Sequence, residues 1–220
     1  RLKRFRILAS IKLRKKIKYY SKRGEKIIFQ GLSPAIYTYG SYKLENTILF
    51  LDGTRALTEY VRGKMPKKDL AYHVHKFVLK RIPKILCVSH ILIKMLNEFY
   101  GIPKKKLFKV PPPLLSSKFT MYPRKTPSKP NVLFIGRLFK LKGGEVILKN
   151  LDKFINNCKL TMVTNDVKAN IKGIKYFNNN LTDEQILNLY KTNDILILPC
   201  FFDTFGAVIA EASAAGLAVI

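Results

Sequence analysis

Arg137 and Lys142 stand five residues apart in the stretch Phe134-Ile135-Gly136-Arg137-Leu138, which continues through Lys140 to Lys142, Gly143 and Gly144. An apolar run ends there and a helical pattern begins. Gly136 permits a tight turn, and Gly143-Gly144 lets the backbone approach a ligand closely. Arginine offers a planar fork for two phosphate oxygens, and lysine a point charge. This is the composition of a diphosphate site. A solvated basic loop has the same composition, and on this stretch alone it is the favoured reading.

A second stretch runs Leu198-Pro199-Cys200-Phe201-Phe202-Asp203-Thr204-Phe205-Gly206, with Glu211 further on. Asp203 falls on a loop after an apolar run. Gly206 opens a helical segment, whose first backbone N–H groups are able to meet an anion. Two carboxylates eight positions apart, flanking a helix N-terminus, could hold hydroxyls on either side of a diphosphate. The competing readings are a helix cap for Asp203 and a solvated helix face for Glu211. Glu211 lies among Ala210, Ala212, Ala214 and Ala215, a run small enough to pack closely on a sheet, and a solvated face explains it poorly.

These stretches need elements to hold them. Apolar runs predict strands at Lys26–Gln30, Thr47–Leu51, Ile85–Ser89, Leu107–Val110, Asn131–Ile135, Lys159–Val163, Asp194–Leu198 and Leu217–Ile220, with a short strand before Tyr176–Asn178. Helical patterns fill much of the rest: within residues 1–24, at 66–81 with Pro66 near the start, at His90–Tyr100 closed by Gly101, at Gly143–Phe154, at Thr182–Lys191 capped by Thr182, and at Phe205–Ala215. Strands alternating with helices predict an α/β architecture with parallel sheets covered on both faces. The pattern pauses at Pro111-Pro112-Pro113 and a polar, proline-rich stretch. Two doubly wound, Rossmann-like domains follow: 1–112, a linker at 113–130, and 131–220. The chain begins with Arg1 and ends in what reads as a buried strand, so both domains are read as incomplete.

The chain carries 41 Lys+Arg against 14 Asp+Glu, a formal net charge of +27. Residues 1–110 hold 27 basic and 6 acidic residues, and residues 1–24 alone hold eleven basic and no acidic ones. Such a half predicts an anionic partner: nucleic acid, a membrane surface or a phosphorylated substrate. Cys87, Cys158 and Cys200 are odd in number and widely spaced, which fits reduced core thiols in a cytoplasmic protein better than a disulfide framework. No Cys/His cluster has zinc spacing, and no run of about 18 uncharged apolar residues predicts a transmembrane helix.

Taken together, the sequence resembles the retaining glycosyltransferases of family 4, also called group 1, which have the GT-B fold of two Rossmann-like domains facing a cleft. The resemblance rests on Phe134-Ile135-Gly136-Arg137 with Lys142-Gly143, and on Asp194–Pro199 leading to Phe205-Gly206, Glu211-Ala212, Ala215-Gly216 and Val219-Ile220. Val88-Ser89 and Tyr100–Pro103 leading to Val110-Pro111 add to it. The resemblance implies a nucleotide-diphosphate-sugar donor of UDP or GDP type, a lipid or glycan acceptor, and no metal or other cofactor. Arg137 and Lys142 would neutralise the donor diphosphate beside Gly136. The N–H groups around Thr204, Phe205 and Gly206 would cap it, and Glu211 would bind ribose hydroxyls. Asp203 stands where the family usually has Glu, and would hold hydroxyls of the sugar. Asp52, in Asp52-Gly53-Thr54, occupies the place where many members carry a His; a turn-forming Asp-Gly explains it equally well. The basic N-terminal half would rest on an anionic membrane, placing the protein peripherally at its inner face. Two other readings compete: an inactive glycosyltransferase-like fragment, motivated by Asp203, and a basic nucleic-acid-binding protein, which lacks a recognised motif.

Overall fold

The computed structural model describes residues 2–112, 119, 121–123, 127–165, 171–178 and 180–220, with side chains described from residue 12 onward. The chain divides into two compact units, Arg1–Pro112 and Pro113–Ile220. Most of the residues read as a linker lie outside the described ones.

The first unit is a four-stranded parallel sheet in the order β1-β2-β3-β4: Ile27–Gln30, Thr47–Leu51, Lys84–Cys87 and Leu107–Lys109. Its helices are α1 (Leu2–Lys22), α2 (Leu32–Tyr37), α3 (Arg55–Val61), α4 (Leu70–Arg81) and α5 (His90–Glu98). Leu49, Leu51, Leu57, Leu79, Ile85, Leu92 and Leu96 are fully buried and form the core. Local chemistry sets the helix ends. Thr54, Asp69 and Ser89 each cap a helix by accepting the N–H of the residue three positions on. After α5 the N–H groups of Gly101 and Ile102 return to the carbonyls of Asn97 and Leu96, with Gly101 at φ 67°.

The second unit is a five-stranded parallel sheet in the order β7-β6-β5-β8-β9: Ile174–Phe177, Lys159–Val163, Asn131–Ile135, Ile195–Leu196 and Ala218–Val219. Alternate residues of β5 feed two cores. Val132 and Phe134 pack with Ile147, Leu148, Leu151 and Phe154 of α6 (Gly144–Lys149) and α7 (Leu151–Asn157). Leu133 and Ile135 pack on the other side with Leu189 and Tyr190 of α8 (Asp183–Thr192) and Ala212 of α9 (Ala207–Ala214). This sheet is therefore covered on both faces, as its apolar strands require.

Several expectations need correction. The helix read from residue 66 begins at Leu70, because Asp69 rather than Pro66 supplies the cap: its Oδ1 accepts the Tyr72 N–H at 3.1 Å. The helix read across Gly143–Phe154 is two helices broken at Asn150. There the backbone N–H turns to the Ile147 carbonyl, and the side-chain amide donates to the Val146 carbonyl at 2.9 Å. The α2 and α3 helices carried no prediction. Of Leu217–Ile220, read as one strand, Ala218–Val219 form β9, and Leu217 is buried just ahead of it. Cys87 and Cys158 are buried, and burial pushes the Cys87 thiol up to about 12; Cys200 is only partly buried.

The start of α8 is the most complete cap in the second unit: Thr182 accepts the Gln185 N–H, and Gln185 accepts the Thr182 N–H at 2.9 Å. Thr182→Ala should lower stability by about 1 kcal/mol in urea unfolding, with Thr182→Asn close to the unaltered chain. An alanine variant as stable as the parent would mean that tertiary packing alone fixes this helix.

Candidate functional site

The strand order places a topological switch point in the second unit. From central β5 the chain crosses to β6 on one side and later returns to β8 on the other. Loops leaving neighbouring strands at such a point diverge and open a crevice at their carboxyl ends, where ligands bind in this class of sheet. The loop after β5 carries Gly136, Arg137 and Lys142. The loop after β8 carries Asp203, Thr204, Phe205 and Gly206.

Three contacts tie these loops together. The Phe201 N–H donates to the Leu141 carbonyl at 3.0 Å. Gly143 adopts φ +81°, and a β-carbon there would lie 1.9 Å from the Pro199 carbonyl oxygen, so only glycine fits. The Lys142 Nζ then reaches Asp203 Oδ2 at 2.5 Å and the Phe202 carbonyl at 3.4 Å. The structure thus brings together two residues 61 positions apart that were expected at one diphosphate-sugar site.

Asp203 accepts from several donors. Its Oδ1 takes the Phe205 N–H at 3.2 Å, and the Gly206 backbone also acts on it. Burial raises its pKa, but the Lys142 ammonium and these two backbone groups together outweigh burial and hold the carboxyl below its ordinary 3.8. The carboxylate therefore sits over the N-terminus of α9, where the helix dipole also favours negative charge. Arg137 is exposed on the neighbouring loop, and Thr204 is half-buried.

Glu211 lies on α9 itself, half-buried, and its Oε2 accepts a hydrogen bond from the Tyr190 hydroxyl at 2.8 Å. The sequence reading missed Tyr190. A tyrosine on the buried face of an amphipathic helix needs a hydroxyl partner, and that requirement was the signal available. Asp52 belongs to the first unit, exposed just beyond the carboxyl end of β2, where the same rule of sheet architecture puts ligand-facing loops. Among the described residues no group of three or more His, Cys, Asp or Glu side chains is placed to hold a metal ion, and no helix is long and apolar enough to cross a membrane.

The sequence of residues 129–220 matches the family of glycosyl transferases group 1. An uncharacterized glycosyltransferase of Methanocaldococcus jannaschii is 29% identical over 101 residues, covering 40% of this chain and 26% of that protein. Among solved structures, a glycosyltransferase from Rickettsia africae superposes with a TM-score of 0.68 at 18% identity, covering 97% of this chain and 61% of its own. HepE of Anabaena, solved with UDP and glucose, gives a TM-score of 0.71 at 12% identity, covering 96% and 61% respectively. At these identities the likeness shows the fold, which is GT-B. The chain spans about three-fifths of both solved structures, and its aligned segment covers about a quarter of the archaeal relative.

The way the second unit ties its two loops together gives two expected outcomes. The Lys142 and Asp203 side chains are 20% and 23% exposed, so solvent screens the pair in part. Lys142→Met should cost roughly 1–2 kcal/mol at neutral pH. Because the Asp203 pKa is depressed on folding, the bond contributes fully above about pH 4 and fades as pH falls through the lowered value. Unfolding curves of parent and variant should therefore differ by a constant amount from about pH 7 to 5 and converge in stronger acid; a gap that persists there would deny Asp203 its charge. Gly143→Ala should destabilise by more than the roughly 1 kcal/mol of a positive-φ penalty alone, because the Pro199 carbonyl must also move. Near-neutral behaviour in thermal unfolding would contradict the loop packing.

Proposed function

We propose that this chain is the larger part of a retaining glycosyltransferase that transfers a sugar from a UDP- or GDP-type donor to a lipid or glycan acceptor without a metal ion. The observation carrying the reading is the meeting of Lys142, Asp203 and the α9 N-terminus across the switch point. Bond cleavage at the anomeric carbon builds negative charge on the departing diphosphate. Catalysis needs that charge stabilised more in the transition state than in the ground state. Lys142 and Arg137 supply positive charge, Gly136 lets the backbone come near, and the first N–H groups of α9 supply aligned dipoles. These groups take the role that a divalent cation plays elsewhere.

Glu211, one turn and a half into α9, holds ribose hydroxyls. Asp203 faces the sugar side and keeps Lys142 in place, with Thr204, Phe205 and Gly206 lining the same loop. Asp52, just beyond the carboxyl end of β2, is the first unit's candidate for the face near the transferred sugar. The group 1 match and the GT-B neighbours support sugar transfer, and the UDP bound by HepE supports a uridine nucleotide for the donor. The basic first unit, with eleven positive residues in its first 24, suits an anionic membrane at the cytoplasmic face, where each nearby Lys or Arg contributes about 1 kcal/mol.

Calorimetry of the chain against UDP, GDP, ADP and their sugar conjugates tests the donor site. One nucleotide should bind saturably, and Arg137→Ala and Glu211→Ala should each weaken it by roughly tenfold or more, the effect of losing 1.4 kcal/mol. Binding that survives both substitutions would remove these residues from the site, and the absence of binding to every nucleotide would count against the donor reading.

A further inference from the structure

Tyr190 is 1% exposed, one of the most deeply buried large side chains in the molecule. Its ring is wedged into the core formed by Leu133, Val163 and Leu196, and Phe119 meets it edge-on with centroids 5.9 Å apart. The ring cannot move without disturbing that core, so the hydroxyl has a fixed position. From α8 it donates to one oxygen, Oε2, of Glu211 on α9. Burial, and then the charge of Glu211, push the phenol well above its ordinary value, so it remains an O–H donor throughout the working pH range.

We propose that Tyr190 is a positioning residue for recognition of the donor's ribose: it locks the Glu211 carboxylate in the orientation that accepts two vicinal hydroxyls. The inference rests on the reading of Glu211 given above and extends it to a residue outside the site. A glutamate has three side-chain torsions, and ordering a long side chain of this kind costs rotamer entropy. Tyr190 meets that cost at folding rather than at binding. A carboxylate offers about four acceptor positions. The bond to Oε2 uses one, leaving Oε1 and the second lone pair of Oε2 for the adjacent 2′ and 3′ hydroxyls. Glu211 is half-buried, so the groups it does not give to Tyr190 remain reachable. A tyrosine whose hydroxyl merely needed a partner would be served by any carbonyl. An acidic side chain, the one charged residue in a helix otherwise of alanine, valine, isoleucine and serine, is a less expected choice for that purpose alone.

The test compares the affinity of the chain for UDP and for GDP with that for their 2′,3′-dideoxy analogues, in the unaltered protein, Tyr190→Phe and Glu211→Ala. Phenylalanine keeps the ring and its packing, and the dideoxy affinity reports separately on whether the site is intact. Glu211→Ala should abolish the preference for the ribonucleotide. Tyr190→Phe should weaken the ribonucleotide by about 3- to 10-fold, the range of one ordinary hydrogen bond, and leave the dideoxy analogue unchanged. If Tyr190→Phe leaves both affinities unchanged, or lowers both equally, Tyr190 is structural and the inference is overturned while Glu211 keeps its role. If Glu211→Ala leaves the preference intact, or the unaltered protein shows none, the ribose reading fails and this inference falls with it.

Discussion

The contact between Gly143 and the Pro199 carbonyl governs how closely the two loops above the second sheet can approach. Strands β5 and β8 are neighbours, but the chain leaves them toward opposite sides, and nothing in the sheet itself draws their loops together. Glycine at 143, in a left-handed conformation with no side chain, lets the backbone of one loop lie against the other. The Phe201–Leu141 hydrogen bond then fixes the register, and Lys142 arrives within reach of Asp203 as a consequence. The chemistry at this point depends on a steric vacancy before it depends on any charge.

Cations are abundant in a chain of net charge +27, and abundance alone would make none of them meaningful. Lys142 differs from the surface lysines in being only 20% exposed and held by a carboxylate that also accepts backbone N–H groups. Such an arrangement pre-organises the ammonium: its position is set on folding, and no reorganisation is needed when an anion enters. Asp203 is one methylene shorter than glutamate. Its carboxylate bonds back to the N–H only two residues on, in the local geometry aspartate favours. That places the negative charge near the start of α9, while Arg137 lies exposed on the opposite loop.

Much of this was legible in sequence because it is encoded locally. Strands β5 and β6 read clearly as apolar runs, since Val132, Leu133, Phe134, Leu160, Met162 and Val163 are all buried against the two cores. The cap at Thr182 followed from a threonine standing just ahead of a helical pattern; its pairing with Gln185 did not. What escaped was of two kinds. Short elements gave too little periodicity: α2 has six residues with Pro34 among them, and the break at Asn150 turns on one side-chain amide competing for a helical carbonyl. Long-range pairings gave no pattern. Tyr190 and Glu211 are 21 positions apart, and Lys142 and Asp203 are 61, so each looked from its own segment like an ordinary member of a helix or a loop. The residue types at the candidate site were visible, but their partners were not, because partnership is a property of the packed sheet.

The α9 helix is where these two levels meet. Ala212 and Ala215 are fully buried, so the helix lies close to the sheet and to α8. That closeness is what brings a glutamate on its second turn within 2.8 Å of a tyrosine hydroxyl on the neighbouring helix. The same helix begins at Gly206, beneath the Asp203 carboxylate. From Gly206 to Glu211 is about 7.5 Å along the axis at 1.5 Å per residue. One rigid element therefore sets the spacing between the anion-facing end and the hydroxyl-facing carboxylate. A larger side chain at Ala212 would lift the helix and displace both ends at once, so the small residues of α9, inert in themselves, determine the geometry in which the charged residues act.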